Sequence, residues 1–333
     1  MAGGGFWCAM KLNCLVTGAD GFVGTHLCRV LRESEFTVTG SSRYAIPNAD
    51  ASHQSSLTLK PVGAIDGATD WQAVLGGQEV VVHLANRAHR VGEREAAAQD
   101  LYRAVNLDGS LNLARQAASN GARLFIYVSS IKVNGESTGE QPFSNKDKPS
   151  PQGAYAISKY ETEQALQDFC AGSRMQLVII RPPLIYGPGV KGNLSQLLWA
   201  VKNNIPLPIA SIANQRDLIS LGNFASLIQT CIDNPASDGN IFLCCDQQPL
   251  STPELARQMA RASGKTAMIF PFPVKGLEML GRMIGREQAI MRLTYDLRVD
   301  MQHTQDVLGW QPPYSVAESM QWAFSDESHR LGG

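Results

Sequence analysis

Three glycines, Gly18, Gly21 and Gly24, recur at every third position directly after a short apolar run at residues 11–17. The run has the length and composition of a β-strand, and residues 23–32 show the apolar periodicity of a helix. A glycine-rich turn between strand and helix lets the backbone approach a pyrophosphate, which the free N–H groups of the helix N-terminus then bind. The alternative is that the glycine-rich turn binds no ligand. The position of this turn within a strand–helix–strand unit favours a dinucleotide site. The predicted cofactor-binding residues of this turn are Gly18, Asp20, Gly21, Phe22, Val23 and Gly24.

Strand-like and helix-like segments alternate through the first half of the chain. This alternation predicts an α/β fold with a Rossmann-type, doubly wound parallel sheet that is covered on both faces. After Arg181 several prolines interrupt the alternation, which indicates a smaller mixed α/β C-terminal lobe for the substrate. The predicted division is an NAD(P)-binding domain at 11–180 with a returning strand–helix unit near 218–250, a substrate lobe at 181–217 and 251–330, and an extension at 1–10.

Charge and composition exclude several classes of partner. The chain has 333 residues, 44% of them hydrophobic, and a formal net charge of -1, so it can bury a large core but has no overall field for nucleic acid or an anionic membrane. No apolar run approaches the roughly 20 residues that span a bilayer. The seven cysteines lack the spacing of a zinc site, so no metal is expected. These features predict a cytoplasmic protein without nucleic-acid or membrane partners.

The residues after the second predicted strand bear on the choice of cofactor. A site specific for NAD usually carries an acidic residue there to bind the ribose hydroxyls, whereas this chain has Ser41, Ser42 and Arg43. The Arg43 guanidinium can receive the 2′-phosphate of NADP. Ser42 and Arg43 are therefore predicted cofactor contacts, and Arg43 favours NADP over NAD without excluding NAD.

A tyrosine and a lysine, Tyr155 and Lys159, are spaced to share one face of a predicted helix. A tyrosine hydroxyl is a poor acid or base near neutrality, and a cation one turn away shifts its pKa toward the working range. Ser129 and Ser130 end a predicted strand, at the sheet edge where ligands of open α/β folds bind. A tyrosine–lysine pair is also common on ordinary helix surfaces, and the strand-end serines add weight to the catalytic interpretation.

Together these motifs resemble the extended short-chain dehydrogenase/reductase family, in its sugar-nucleotide epimerase and dehydratase branch. The resemblance extends from Lys11 to about Phe324. It implies an NAD(P)(H) cofactor, a UDP-sugar substrate, and a homodimer formed through the helices at 100–120 and 155–170. The motifs that carry it are the glycine turn, the run 83–85, Asn106, the serines at 129–130, the Tyr155/Lys159 pair and the run 181–189.

The resemblance also implies roles for individual residues. Ser130, Tyr155 and Lys159 are the expected catalytic residues. The further cofactor contacts that it implies are Asp66, Leu84, Ala85, Asn106, Tyr155, Lys159 and Pro182. The implied substrate contacts are Ser130, Lys132, Asn193, Leu194, Arg216 and Arg292, of which Arg216 is expected to bind a phosphate.

Departures from the family pattern narrow the expected reaction. Dehydratases of the family carry an Asp-Glu pair after the strand-end hydroxyl, and Ile131 and Lys132 occupy those positions here. Asn134 stands where the epimerase-like turn usually has tyrosine. These features are most similar to the UDP-N-acetylquinovosamine 4-dehydrogenases, which in reverse reduce a UDP-4-keto-6-deoxy sugar for bacterial surface polysaccharide such as lipopolysaccharide O-antigen. The expected reaction is hydride transfer at C4 of a UDP-linked N-acetylated 6-deoxyhexose.

Two alternatives remain open. A UDP-hexose 4-epimerase would use the same three catalytic residues with tightly held NAD. A non-catalytic dinucleotide sensor would share the fold, but such proteins typically lack the Tyr155/Lys159 pair.

Overall fold

The computed structural model describes residues 12–34, 36–45, 58–87 and 95–325. Among these residues, seven strands form one sheet in the order β3-β2-β1-β4-β5-β6-β9, and β7 and β8 form a separate parallel pair. The strand pairs β1–β2, β1–β4, β2–β3, β4–β5 and β6–β9 are parallel. The strands are β1 Asn13–Thr17, β2 Thr37–Ser42, β3 Thr58–Pro61, β4 Val80–His83, β5 Leu124–Val128, β6 Gln176–Arg181, β7 Leu184–Tyr186, β8 Leu218–Ser220 and β9 Ile241–Leu243.

The central strands are apolar on both faces. Every residue of β4 and β5 is buried, and both strands are rich in β-branched or aromatic side chains. Near-continuous apolar strands of this kind are typical of parallel sheets covered by helices on both sides. The predicted α/β, Rossmann-type fold is therefore confirmed.

Helices connect the strands and extend beyond them. The described helices are α1 Phe22–Glu33, α2 Gln72–Leu75, α3 Glu95–Tyr102, α4 Gly109–Ser119, α5 Gly153–Ala171, α6 Asn193–Lys202, α7 Leu221–Asp233, α8 Thr252–Ala262, α9 Val274–Met283, α10 Glu287–Thr294, α11 Gln302–Leu308 and α12 Val316–Phe324. One helix was expected at 100–120, but a π-helical segment, Arg103–Asp108, interrupts it between α3 and α4. Ser251 caps the start of α8, because its Oγ accepts a hydrogen bond from the backbone N–H of Glu254.

The chain divides into two compact units. The first comprises Met1–Tyr127 and Gln164–Leu177, and the second comprises Val128–Glu163 and Val178–Gly333. The core of the first unit contains Leu15, Leu27 and Trp71. The second unit holds two apolar clusters, one around Tyr186 and Phe324 and one around Val201 and Leu277. The domain division drawn from the sequence stays a prediction, as does the homodimer, and the extension at 1–10 lies outside the described residues.

Candidate active site

The glycine turn of the first unit has no space for side chains. Gly18 has a φ of +66°, and a Cβ there would lie 3.1 Å from the Cα of Ala85. A Cβ on Gly24 would lie 2.7 Å from the Cα of Ala19, closer than real atoms approach. The turn is closed by a 2.9 Å hydrogen bond from Gly21 N–H to the Gly18 carbonyl. Gly18 therefore permits the backbone conformation, and Gly24 permits the start of α1 to pack on the turn.

The N-terminus of α1 fits a dinucleotide pyrophosphate. Its cap residue is Gly21, so no side chain accepts the first N–H groups of the helix. Such N–H groups, with the positive end of the helix dipole, bind phosphate oxygens. Asp20 is exposed beside them, and Phe22 and Val23 are partly buried in the first turn. The residues present thus fit the phosphate portion of an NAD(P) cofactor.

A buried hydrogen-bond network fixes the end of β4 next to this turn. Thr17 Oγ1 accepts hydrogen bonds from the backbone N–H groups of Leu84 and Ala85, both at 3.1 Å, and pairs with His83 Nδ1 at 2.7 Å. The other ring nitrogen of His83 lies 2.8 Å from Ser110 Oγ. Residues of β1, β4 and α4 therefore hold the backbone at Leu84 and Ala85 in place.

Asn106 lies in the π-helical segment and is buried. Its Oδ1 accepts a 2.8 Å hydrogen bond from the backbone N–H of Arg87, just after β4. Single π-helical turns are frequent at functional sites because they re-aim one side chain out of the regular helix. In this structure Asn106 positions the backbone that follows β4.

The end of β2 carries the predicted determinants of cofactor type. Ser42 is buried, and its hydroxyl donates a 2.8 Å hydrogen bond to the carbonyl of Tyr44. Arg43 is exposed, and its guanidinium makes no hydrogen bond or ion pair with any residue in the described ranges. Asp66, after β3, uses one carboxylate oxygen to accept a 2.8 Å hydrogen bond from Ala68 N–H. Arg43 is thus available to an anionic ligand, and Asp66 caps a turn.

The second unit contains all three predicted catalytic residues. Tyr155 and Lys159 lie one turn apart on α5, and Ser130 caps a short 3₁₀ segment, Ile131–Val133, directly after β5. Lys159 is buried, and its Nζ donates a 2.9 Å hydrogen bond to the carbonyl of Val128, two residues before Ser130. Burial lowers the pKa of Lys159 to about 7, while the nearby Glu163 carboxylate acts in the opposite direction. The Lys159 side chain is therefore fixed at the end of β5, next to the strand-end serines.

Ser130 is the more accessible of the two strand-end serines. It is partly exposed, and its Oγ accepts a 3.3 Å hydrogen bond from Lys132 N–H. The Ser129 hydroxyl is buried and has no hydrogen-bond partner within the described part of the chain. The backbone N–H of Ser129 donates a 2.8 Å hydrogen bond to the carbonyl of Ile180, which joins the end of β5 to β6. Ser130 is thus better placed to meet a ligand.

A buried ion pair that the sequence did not predict supports α5. Arg181 donates to Glu163 from Nε at 3.0 Å and from Nη2 at 2.6 Å, and both side chains are buried. Arg181 Nη1 also donates a 2.9 Å hydrogen bond to Asn134 Oδ1, and Asn134 Nδ2 donates to Ser144 O. Both polar groups of the Asn134 side chain are therefore engaged by the protein. The spacing of Glu163, four residues after Lys159, was the available signal for its position.

Three predicted substrate-binding cations, Lys132, Arg216 and Arg292, lie within electrostatic range of one another, and the carboxylate of Glu136, which the sequence did not predict, acts on Lys132 and Arg216. Lys132 Nζ lies 2.6 and 2.9 Å from the two carboxylate oxygens of Glu136. Burial lowers the pKa of Lys132, the ion pair with Glu136 raises it, and the charges of Arg216 and Arg292 lower it. Arg216 is also held by a 2.9 Å hydrogen bond from its Nη1 to the carbonyl of Tyr295. The arrangement has a local charge excess that suits a diphosphate.

The remaining predicted ligand contacts, Asn193, Leu194 and Pro182, differ in whether their side chains are exposed or buried. Asn193 is exposed at the first residue of α6. The neighbouring Leu194 side chain is buried in the apolar cluster around Tyr186, so only its backbone is available to a ligand. Pro182 is buried, and its carbonyl accepts a 3.0 Å hydrogen bond from Ile131 N–H. Leu194 and Pro182 thus support the fold through their side-chain burial.

The described residues carry neither a metal-binding cluster nor a membrane-spanning helix. No group of three or more His, Cys, Asp or Glu side chains is arranged to hold a metal ion there. None of the described helices combines the length and apolarity needed to cross a membrane.

The fold and the glycine turn define a dinucleotide-binding α/β protein of the Rossmann class. The family model of the NAD dependent epimerase/dehydratase family matches residues 14–245, and the chain belongs to this family.

Relatives and solved structures agree with that membership. A UDP-glucose 4-epimerase from Vibrio cholerae is 41% identical over 312 residues, which cover 93% of each chain. An N-acetyl-alpha-D-glucosaminyl-diphospho-ditrans,octacis-undecaprenol 4-epimerase from Escherichia coli O157:H7 is 27% identical, with 84% of this chain and 83% of the relative covered. The crystal structure of UDP-glucuronic acid 4-epimerase from Bacillus cereus in complex with NAD superposes with a TM-score of 0.74 at 18% identity, covering 94% and 95% of the two chains.

Proposed function

We propose that this chain is a nicotinamide-dependent enzyme that oxidises and reduces C4 of a UDP-linked sugar. The observation that carries the proposal is the arrangement of α5 against the end of β5. Lys159 is buried and anchored to Val128 O, Tyr155 lies one turn before it, and Ser130 follows the same strand. The 41% identity to a UDP-glucose 4-epimerase over 93% of the chain supports the substrate class.

The three side chains have distinct tasks in this proposal. Tyr155 exchanges a proton with the C4 oxygen, and the positive charge of Lys159 stabilises the phenolate that remains. Ser130 donates a hydrogen bond to the same oxygen and orients it. Bound nicotinamide supplies the two-electron chemistry at C4, and the glycine turn with the start of α1 holds its pyrophosphate.

The cation cluster binds the diphosphate of the substrate. Lys132, Arg216 and Arg292 lie within electrostatic range of one another, and two of them have a pKa lowered by burial. Cations withdrawn from water bind phosphate oxygens more strongly than surface cations do. Asn193 at the start of α6 adds a polar contact to the same substrate.

A 4-epimerase is the form of this activity that we favour. The relative with 41% identity over 93% of the chain is a 4-epimerase. The second candidate is reduction of a UDP-4-keto-6-deoxy-N-acetylhexosamine to UDP-N-acetylquinovosamine. The exposed Arg43 favours it, because a guanidinium that receives a 2′-phosphate suits NADPH, a reductant consumed at each turnover.

A single assay separates the two reactions. Purified protein is mixed with a panel of UDP-hexoses, UDP-N-acetylhexosamines and UDP-N-acetylquinovosamine, with NAD or NADP added, and reduced nicotinamide and the sugar products are both measured. We expect conversion of one UDP-sugar into its C4 epimer without net change in the cofactor. Stoichiometric accumulation of reduced cofactor would establish the dehydrogenase/reductase instead, and neither product with any sugar would contradict both.

Replacement of Tyr155 by phenylalanine tests the catalytic assignment. Tyr155→Phe should lower turnover by about 10²–10⁴-fold and leave cofactor affinity unchanged, because only the transferable proton is removed. Tyr160→Phe, five residues further along the same helix, is the matched control and should retain near-normal turnover. Near-normal turnover in Tyr155→Phe would overturn the assignment.

A further inference from the structure

Helix α9 and the segment before it carry a large exposed apolar surface. Met279, Leu280, Met283 and Ile284 are 63%, 49%, 77% and 60% exposed. We call this surface the α9 patch; its members are Met268, Phe270, Phe272, Met279, Leu280, Met283 and Ile284. Single exposed apolar residues are normal on soluble proteins, but a contiguous set indicates a surface that contacts something else.

The helical geometry places Met279 and Met283 on the same outward side of α9. With about 100° per residue, the buried Leu277 and Gly281 define the face of α9 that packs on the protein, whereas Met279 and Met283 point away from that face. Gly276 lies on the same side as Met283, and a Cβ there would lie 2.9 Å from the ring of Phe272. The Phe272 ring therefore extends the α9 side chains toward the preceding segment.

Positive charge borders the apolar surface. Within residues 264–290, the stretch of sequence that contains the patch, Lys265, Lys275, Arg282 and Arg286 are exposed, and the acidic residues are Glu278 and Glu287. The local net charge is therefore +2, in a chain whose overall formal charge is -1. Arg282 and Glu287 form an exposed ion pair at 2.9 Å, so the excess charge belongs to the lysines and Arg286.

We propose that the α9 patch docks on the surface of a bilayer that contains anionic phospholipid. An amphipathic helix with apolar side chains on one face and lysine or arginine on the other lies in the plane of the membrane interface, where its apolar face enters the acyl boundary. The long side chains of Lys275 and Arg286 reach from that depth to the headgroups. Contact with anionic headgroups also matches the local charge of +2.

Charge also argues against a second copy of this chain as the occupant. A two-fold contact would place the same patch on both partners, so two surfaces of net charge +2 would face each other. An anionic lipid surface neutralises those charges, whereas a like-charged copy repels them. The overall charge of -1 had indicated no membrane partner, because whole-chain composition averages out a local basic and apolar surface.

The association is peripheral and reversible. The helix α9 has 10 residues, and none of the described helices can span a bilayer. Binding should therefore weaken with rising salt, since part of it is electrostatic attraction to the headgroups. This inference does not depend on the proposed reaction and is tested without it.

Co-sedimentation with lipid vesicles tests the proposal. The full chain is mixed with vesicles of phosphatidylcholine alone or with about one third phosphatidylglycerol, at low and high salt. We expect binding to the anionic vesicles, little binding to the neutral ones, and a loss of binding at high salt. The Met279→Gln/Met283→Gln variant should bind anionic vesicles about tenfold more weakly at an unchanged melting temperature.

A matched pair of substitutions controls for exposure. Leu280 and Leu101 are 49% and 50% exposed, but only Leu280 belongs to the α9 patch. Leu280→Gln should weaken vesicle binding, and Leu101→Gln should not. The proposal is overturned if the wild-type chain stays in the supernatant with both vesicle types, or if the patch variants bind as the wild type does. It is equally overturned if the double variant converts a dimer to a monomer without a change in vesicle binding.

Discussion

Glu163 accepts two hydrogen bonds from Arg181, and both side chains are buried. The pair joins α5 to the end of β6, and Glu163 lies one helical turn after Lys159. One carboxylate therefore neutralises the buried arginine and raises the pKa of the buried lysine against the effect of burial. The stability of the fold and the charge state of Lys159 thus depend on the same side chain, that of Glu163.

Loss of the Glu163 charge should destabilise the chain. Glu163→Gln leaves Arg181 buried without a counter-charge, and we expect a fall of about 3–5 kcal/mol in the free energy of unfolding. Urea denaturation followed by circular dichroism measures it. Asp168→Asn, an exposed carboxylate on the same helix, is the control and should change stability by about 0.5 kcal/mol or less. Equal stability of the two variants would show that the ion pair contributes little.

The depressed pKa of Lys159 predicts how stability depends on pH. Burial lowers this pKa from 10.5 to about 7, so between these values the unfolded chain binds more protons than the folded chain. The free energy of unfolding of the wild type should therefore rise with pH through this window. Below about pH 7 Lys159 is protonated in both the folded and the unfolded chain, so it adds no pH dependence there.

The variant Lys159→Met lacks this titration and isolates its effect. The melting temperature of the wild type minus that of the variant should increase between about pH 7 and pH 9 and stay constant below about pH 6. Differential scanning calorimetry at several pH values measures the difference. A difference that does not vary with pH would mean that Lys159 keeps an ordinary pKa in the folded state.

Removal of the Arg43 charge tests the preference for NADP. Arg43→Ala should weaken NADP(H) binding by about 10- to 100-fold, the usual effect of losing a charge-assisted hydrogen bond to phosphate. NAD(H) binding to the same variant is the internal control and should change by less than about threefold. Isothermal titration with each cofactor measures both. Equal losses for the two cofactors would place Arg43 outside the 2′-phosphate site.

Neutralisation of Glu136 should strengthen substrate binding. Glu136 holds Lys132 and also raises the pKa of Arg216, so its charge opposes the binding of a diphosphate by the same cations. Glu136→Gln should tighten UDP binding by about three- to tenfold, a modest change because the pair is partly exposed. Glu140→Gln, exposed and nearby in sequence, is the control for isothermal titration with UDP. Weaker binding in Glu136→Gln would show that the carboxylate chiefly orients Lys132.

Local patterns in the sequence predicted the parts of the site that short segments determine. The glycine turn, the strand-end serines and the Tyr155/Lys159 spacing each depend on residues close in the chain. The π-helical segment around Asn106 was missed because its backbone contact, at Arg87, lies 19 residues away. The role of Asn134 was also missed, since its partner Arg181 is 47 residues away and only the folded chain brings them together.

Charged and apolar surface patches, like contacts between distant residues, are formed only in the folded chain. The chain as a whole has a net charge of -1, whereas α9 brings cations and exposed methionines within one helical turn of each other. The buried Leu277 and Gly281 show which face of α9 packs inward, and the sequence alone does not identify that face. Surface patches therefore require the tertiary structure.

The separation of the two sets of hydrogen bonds has an evolutionary consequence. The contacts that shape the glycine turn join Thr17, His83 and Ala85, all within the first compact unit, whereas Lys132 and Arg216 are held by partners within the second. On the proposed function, substitutions near Lys132 and Arg216 change substrate recognition and leave the hydrogen bonds of the glycine turn intact. On the same proposal, a duplicated copy of the gene can change its substrate specificity while it keeps the cofactor-binding turn unchanged.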